Sequence, residues 1–156
     1  MGEQHDGTDP TAPTPADPDA TIDPAVAMLA ADDASAGLGM ELLEVHPGHA
    51  RVAMTIDERM LNGHGIAHGG FVFALADTAF AAACNSGRPM TVAATAEIDF
   101  LAPARLGDRL VAEAAERVRT GRSGITDVTV WREEVEPVRI AEFRGRSRTV
   151  RTPVED

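Results

Sequence analysis

Lysine and tyrosine are absent from the 156 residues, and cysteine and tryptophan occur once each. The lone Cys84 excludes an intrachain disulfide and any metal site built from several thiolates. With five Phe and one Trp, the core has to be assembled from Ala, Val, Leu and Ile. No run of 18 or more apolar residues exists, which excludes an ordinary membrane-spanning helix. The N-terminus lacks the basic start and apolar stretch of a secretory signal, so a cytoplasmic location is expected. Basic residues are outnumbered: 14, all of them Arg, against 25 acids, for a net charge of −11. Eight of the acids fall in the first 35 residues, which hold no base, and the rest of the chain is close to balanced. No basic stripe stands out, so neither nucleic acid nor an anionic membrane is expected as a partner.

What is present divides into a tail and one domain. Residues 1–22 are rich in Asp, Pro, Thr and Ala and read as a disordered acidic tail. Residues 23–151 are expected to form a single domain, large enough for a modest core that pairing with another chain would extend. Residues 24–36 read as one short helix, with Asp23 as cap and Pro24 in the first turn. Residues 40–46 and 50–57 alternate as strands around a Pro47-Gly48 turn. A glycine-dense segment, ERMLNGHGIAHG, then leads into GGFVFALADTAFAAAC, a helix apolar on nearly every side and so expected to be buried. Four strands follow, over 91–101, 108–119, 122–133 and 137–150. One long helix among antiparallel strands predicts a sheet that curls round it.

Asp77 is the sharpest feature of that helix. Its neighbours Phe73, Ala74, Leu75, Ala76, Phe80 and Ala81 are apolar. An ionised carboxylate there costs several kcal/mol, by order of magnitude, unless it is hydrogen-bonded or has a task. Two readings stand side by side: an aspartate satisfied by an amide, a hydroxyl or an Arg, and a carboxylate poised as base or nucleophile. Gly69 and Gly70 fall at the expected helix start, where free amides point outward and can polarise a carbonyl. A simple Gly-rich turn is the competing reading. Asp77 is eight residues past Gly69, about 12 Å along one helix. One carbonyl therefore meets both groups only if two chains lay their helices antiparallel, with Gly69 of one facing Asp77 of the other. Ala74, Ala81, Ala82 and Cys84 leave room for that approach.

Other residues are open to either reading. Asn62 can hydrogen-bond a carbonyl or water, or serve an Asn-Gly turn. His68 can act as base or orient the glycine loop, and His64 reads as loop or pocket rim. His46 and His49 flank a turn and read as surface. Cys84 reads as a small packed hydrophobe. No histidine shows a recognised metal spacing, so no metal is expected.

The run NGHGIAHGGFVFALADTAFAAACNS, residues 62–86, resembles the hotdog-fold acyl-CoA thioesterases of the phenylacetate-degradation type. Asn62, the triplet His68-Gly69-Gly70 and Asp77 match that family's motif in identity and spacing, and IDFLAPA, residues 98–104, fits as well. The resemblance covers about residues 36–150. It implies an α+β hotdog fold: a long central helix wrapped by a curled antiparallel sheet. It also implies a homodimer that forms the active sites, and a dimer of dimers. The implied reaction is hydrolysis of an acyl-CoA, phenylacetyl-CoA or a ring-hydroxylated form of it, with neither metal nor cofactor. Asp77 is then nucleophile or base, the Gly69 amide polarises the carbonyl, and Asn62 and His68 support carbonyl or water. Thr95 falls where some relatives place a water-holding hydroxyl. Gly70 and Phe71 would meet the substrate, with Phe73, Phe80 and Met90 as further pocket residues. The strand-end motif reads Ala102-Pro103 where relatives carry Arg or a similar polar residue, which leaves Arg105, Arg122 or Arg146 to meet CoA phosphates. Competing classes are a non-catalytic acyl-CoA-binding hotdog module, a thioesterase for short or medium aliphatic acyl groups, and a hotdog dehydratase.

Overall fold

A computed structural model of the chain describes residues 21–151. The expected tail, apart from Thr21 and Ile22, lies outside the described residues. Two short helices come first, α1 (Pro24–Ala30) and α2 (Asp33–Gly37). The sequence predicts one helix here. Asp32 divides it, because its carboxylate accepts from the Ser35 N–H at 3.0 Å and so caps a second helix. Asp23 caps the first through the Ala25 N–H at 2.8 Å.

Strands β1 (Glu41–His46) and β2 (His49–Thr55) form a hairpin through Pro47 and Gly48, the latter with φ of 81°. A 3-10 turn, Glu58–Met60, leads toward α3 (Gly69–Asn85), 17 residues and about 25 Å long. Then come β3 (Thr91–Phe100), β4 (Arg109–Thr120), β5 (Ser123–Arg132) and β6 (Val138–Thr149). The six strands form one antiparallel sheet in the order β1-β2-β4-β5-β6-β3. Helix α3 is thus the crossover that carries the chain across one face of the sheet, from β2 to the far edge.

The core lies between α3 and that inner face. Leu75, Ala76, Ala79, Phe80 and Ala83 of the helix pack with Val52, Met54, Leu110, Val128, Val130, Ile140 and Phe143 of the strands. Phe80 sits so low on β6 that a Cβ at Gly145 would fall 2.6 Å from its ring. Scarce aromatics are thus accommodated by a glycine beneath the largest buried one.

One architectural expectation is corrected. The sheet does not curl round the helix: it is open, with β1 and β3 as unpaired edges. The helix is covered on its other side by α1 and α2 instead. The Ser86 hydroxyl donates to Asp23 at 2.8 Å, and Ser35 meets Thr78 at 3.2 Å. With that cover in place β3 is left exposed from Val92 to Glu97. Ala82 and Cys84, expected toward a partner helix, face the core. Cys84 lies 3.7 Å from the Thr126 hydroxyl, and burial pushes its thiol pKa up, which suits an inert packing residue.

Candidate active site

The start of α3 is built by His68. Its backbone is extended, with φ −64° and ψ 131°, and its ring Nδ1 accepts from the Gly70 N–H at 3.0 Å. The histidine is therefore the N-cap, with Nδ1 unprotonated and the proton on Nε2. Gly70 spends its amide on that cap. The Gly69 N–H has no acceptor among the described residues. It stays a free donor at the positive end of a 17-residue helix. Phe100, at the end of β3, stands directly over it: a Cβ on Gly69 would meet the ring at 2.9 Å. No sequence signal marks Phe100 for this position, because only the strand order brings the end of β3 to the head of α3.

Asn62 organises the loop before the helix. Its side-chain carbonyl accepts from the His64 N–H at 2.9 Å and from the Ile66 N–H at 3.4 Å. The turn reading is met, since the oxygen is used within the loop, and the amide NH₂ makes no hydrogen bond among the described residues. Asn62 and Gly69 line one cavity of about 540 Å³, with Val72, Phe100, Pro103 and Ile140. Phe71 is half-buried and meets the His68 ring edge-on at 6.2 Å. His64 is exposed on the loop.

Asp77 lines a different cavity, of about 480 Å³, between α1, the second half of α3 and the start of β3. Its walls are chiefly apolar: Met28, Phe80, Ala81, Met90 and Val92. Pro24 and Met28 of α1 belong to this wall, and nothing in the local sequence announces them. The carboxylate is half-buried and receives no hydrogen bond among the described residues. Burial alone pushes its pKa above the usual carboxylate range. Among the described residues of one protomer, neither an ion pair nor an amide meets Asp77. Gly69 and Asp77 share one uninterrupted helix yet line separate cavities, so a single protomer does not bring them to one carbonyl. Gly70, Ala74, Asp77 and Ala81, at spacings of three and four, form the stripe of α3 that is left incompletely covered.

The remaining expected residues are scattered. Thr95 pairs with Arg146, after a bulge between Ala93 and Thr95. Arg144, Arg146 and Arg148 are the exposed row of β6, alternating with Phe143, Gly145 and Ser147 that face the core. Thr95 therefore points to the sheet face away from α3, and its own protomer does not bring it to Asp77. Arg105 is exposed in the loop before β4, and Arg122 is exposed in the turn after it. The 12-residue strand between them holds them about 40 Å apart within one chain. Phe73 and Phe80 pack on Phe143, at ring distances of 5.4 and 5.7 Å, so Phe80 serves core and cavity wall at once.

One long helix over an antiparallel sheet, with a free amide at its start and an unpaired carboxylate along it, fits one class: a thioester hydrolase of the hotdog fold. Comparison with known proteins agrees. The model of the thioesterase superfamily matches residues 64–138. The acyl-coenzyme A thioesterase PaaI of Escherichia coli strain K12 is 40% identical over 124 residues, 80% of this chain and 87% of that protein. The solved E. coli PaaI, from the phenylacetic acid degradation operon, superposes with a TM-score of 0.78 over 81% of this chain and 91% of its own. A mutant of the phenylacetic acid degradation protein PaaI from Thermus thermophilus superposes at 0.72, with 36% identity over 76% of this chain and 100% of its own. The chain belongs to the PaaI-like hotdog-fold acyl-CoA thioesterases. No helix among the described residues is long and apolar enough to cross a membrane.

Proposed function

We propose that this thioesterase hydrolyses phenylacetyl-CoA or a ring-hydroxylated phenylacetyl-CoA, giving the free acid and CoA, in sites shared between two protomers. The observation that carries the reading is the pairing of unmet groups. The Gly69 amide lacks an acceptor, the Asp77 carboxylate lacks a donor, and about 12 Å of one helix separates them. Two α3 helices laid antiparallel along the stripe Gly70, Ala74, Asp77 and Ala81 unite the two. The small side chains permit the approach. The thioester carbonyl accepts from Gly69 of one protomer, which stabilises the oxyanion as charge develops. Asp77 of the other attacks the carbonyl carbon, or takes a proton from the water that does. Its raised pKa, caused by burial, strengthens it in either role. Asn62 offers its amide NH₂ to the carbonyl or the water, and His68 holds the glycine turn. The cavity beside Asp77, walled by Met28, Phe80, Met90 and Val92, is of a size and polarity to take an aromatic acyl group.

Thiol release from phenylacetyl, hydroxyphenylacetyl, hydroxybenzoyl, acetyl, hexanoyl and palmitoyl-CoA tests the reading, with wild type and Asp77→Ala side by side. Fast release on the arylacetyl substrates, lost in the variant, supports it. Release confined to aliphatic substrates rejects the aromatic assignment, and full activity in Asp77→Ala rejects the catalytic one. A single turnover in ¹⁸O-labelled water separates the two roles: label entering Asp77 itself marks the nucleophile.

A further inference from the structure

We propose that Glu44, His46 and His49 form a binding site for a borderline-soft divalent transition metal, with Zn²⁺ as the representative ion. The proposal stands apart from the thioesterase chemistry and draws on the turn end of the β1–β2 hairpin, which packs on the end of α3. Linear spacing shows no metal motif in these residues. The hairpin makes one by pairing His46 directly opposite His49.

The turn that joins them is held from both sides. Pro47 fixes one backbone angle, and Gly48 takes the positive φ of 81° that the turn requires. The Gly48 N–H donates to the Ala83 carbonyl at 3.1 Å, and its own carbonyl accepts from the Glu116 N–H at 2.8 Å. The end of α3 and strand β4 thus pin the turn, and the two imidazoles are stacked with centroids 4.6 Å apart and planes 12° from parallel. Glu44, two residues before His46 on the same strand face, completes the set. Its Oε1 lies 3.7 Å from His46 Nε2 and 3.8 Å from His49 Nδ1. All three ligand atoms fall within 4.8 Å of one another.

An unmet polar atom favours a cation at the centre. His49 Nε2 faces the Glu113 carboxylate at 3.5 Å. The other ring nitrogen, Nδ1, is buried, has no hydrogen-bond partner, and faces the Glu44 carboxylate. An ion between them gives both atoms a partner. Zinc bonds of about 2.0–2.1 Å place tetrahedral donors roughly 3.3–3.4 Å apart. The two Glu44 contacts close by a few tenths of an ångström, and the stacked rings have to turn out of parallel so that both nitrogens aim at one ion, a larger adjustment. Glu44 and His46 are about half exposed and free to make it. Glu113 takes the outer position, orienting the ligand histidine through its second nitrogen. Arg51 stands opposite both Glu44 and Glu113 in the sheet and offsets one of the two carboxylates, leaving a net negative charge for the ion.

Calorimetric titration of the chelator-treated full chain with zinc chloride tests the site, on wild type, His46→Ala, His49→Ala and the double variant. Circular dichroism establishes that each variant is folded. One zinc per chain is expected in wild type, with affinity at least tenfold weaker in either single variant and binding absent from the double variant. Saturating zinc should raise Tm in wild type alone. Glu113→Gln should weaken binding by roughly tenfold through loss of the orienting carboxylate. Equal zinc uptake by wild type and the double variant would overturn the proposal, assigning the ion elsewhere in the chain. No saturable binding tighter than about 0.1 mM would overturn it too.

Discussion

Asp77 and Asn85 stand eight residues apart on α3 and line the same cavity, yet their surroundings are opposite. Asn85 uses both ends of its amide. Its NH₂ donates to the Ala81 and Thr91 carbonyls at 2.9 and 2.8 Å, and its oxygen accepts from the Thr91 N–H at 2.9 Å. It closes the junction between α3 and β3, and its polarity is consumed by the fold. Asp77 carries a full charge into apolar surroundings and receives nothing. A helix can therefore hold polar residues for two reasons, and the hydrogen-bond inventory separates them: what is satisfied is architecture, and what is left unmet is available for chemistry.

Replacing both sharpens that contrast. Asp77→Asn should lower kcat by about 10²–10⁴-fold with the fold and assembly intact, measured by thiol release alongside circular dichroism and sedimentation. The unmet amide at the helix head is the next largest effect. Gly69 is the first helical residue and His68 before it is extended, so the backbone accepts proline there, which removes the N–H and asks of the Phe100 ring the same shift as any Cβ. Gly69→Pro should lower kcat by about 10²–10³-fold. Gly69→Ala keeps the donor and asks only that the exposed Phe100 ring shift, so it should lose far less. Equal loss in both would make Gly69 a matter of space rather than of hydrogen bonding.

Asn85→Ala probes the other side of the contrast. It strands the buried Thr91 amide and should cost about 1–3 kcal/mol in urea denaturation, seen as a lower midpoint at unchanged slope. A folded Asn85→Ala enzyme that is inactive would break the division between the two residues.

The smallest effect is on pH. Burial raises the Asp77 pKa, so the acid limb of kcat/KM should fall above the ordinary carboxylate value. The sign for stability follows. The unfolded chain ionises first as pH rises, so the buried carboxylate penalises the native state above its folded pKa and has no such effect below the unfolded one. Asp77→Asn should therefore have the higher Tm near pH 7, with the advantage vanishing on acidification toward the ordinary carboxylate pKa.

Much of this was legible in the residue pattern, and the exceptions share a cause. Local signals placed α3, all six strands and the Pro47-Gly48 turn to within a residue or two, because periodicity and turn chemistry are properties of a segment. The placement of Gly69 and Asp77 on one helix, about 12 Å apart, was legible too. What escaped depends on pairing. The outward direction of Thr95 follows from a bulge in β3 that only the β6 register reveals. The Ala82 and Cys84 contacts depend on which side of an all-apolar helix meets the sheet, and an all-apolar helix does not announce it. The open sheet in place of a curled one reflects α1 and α2 covering α3, and Asp32 hid that pair by reading as an interior helix residue. The apposed His46 and His49 are likewise a product of strand register rather than of spacing.

The free edge of β3 has a consequence for the solubility of the protein. Ten residues of strand present an unpaired backbone row, include exposed Val92 and Phe100, are flanked by exposed Met90 and Leu101, and contain no proline. Such an edge is a template for strand addition by any chain that arrives with the right spacing. Glu97 and Asp99 are the charges within it, and they act as gatekeepers. Solubility of the newly made chain is in this sense a matter of keeping that edge from capture by the wrong strand, with two carboxylates setting the odds.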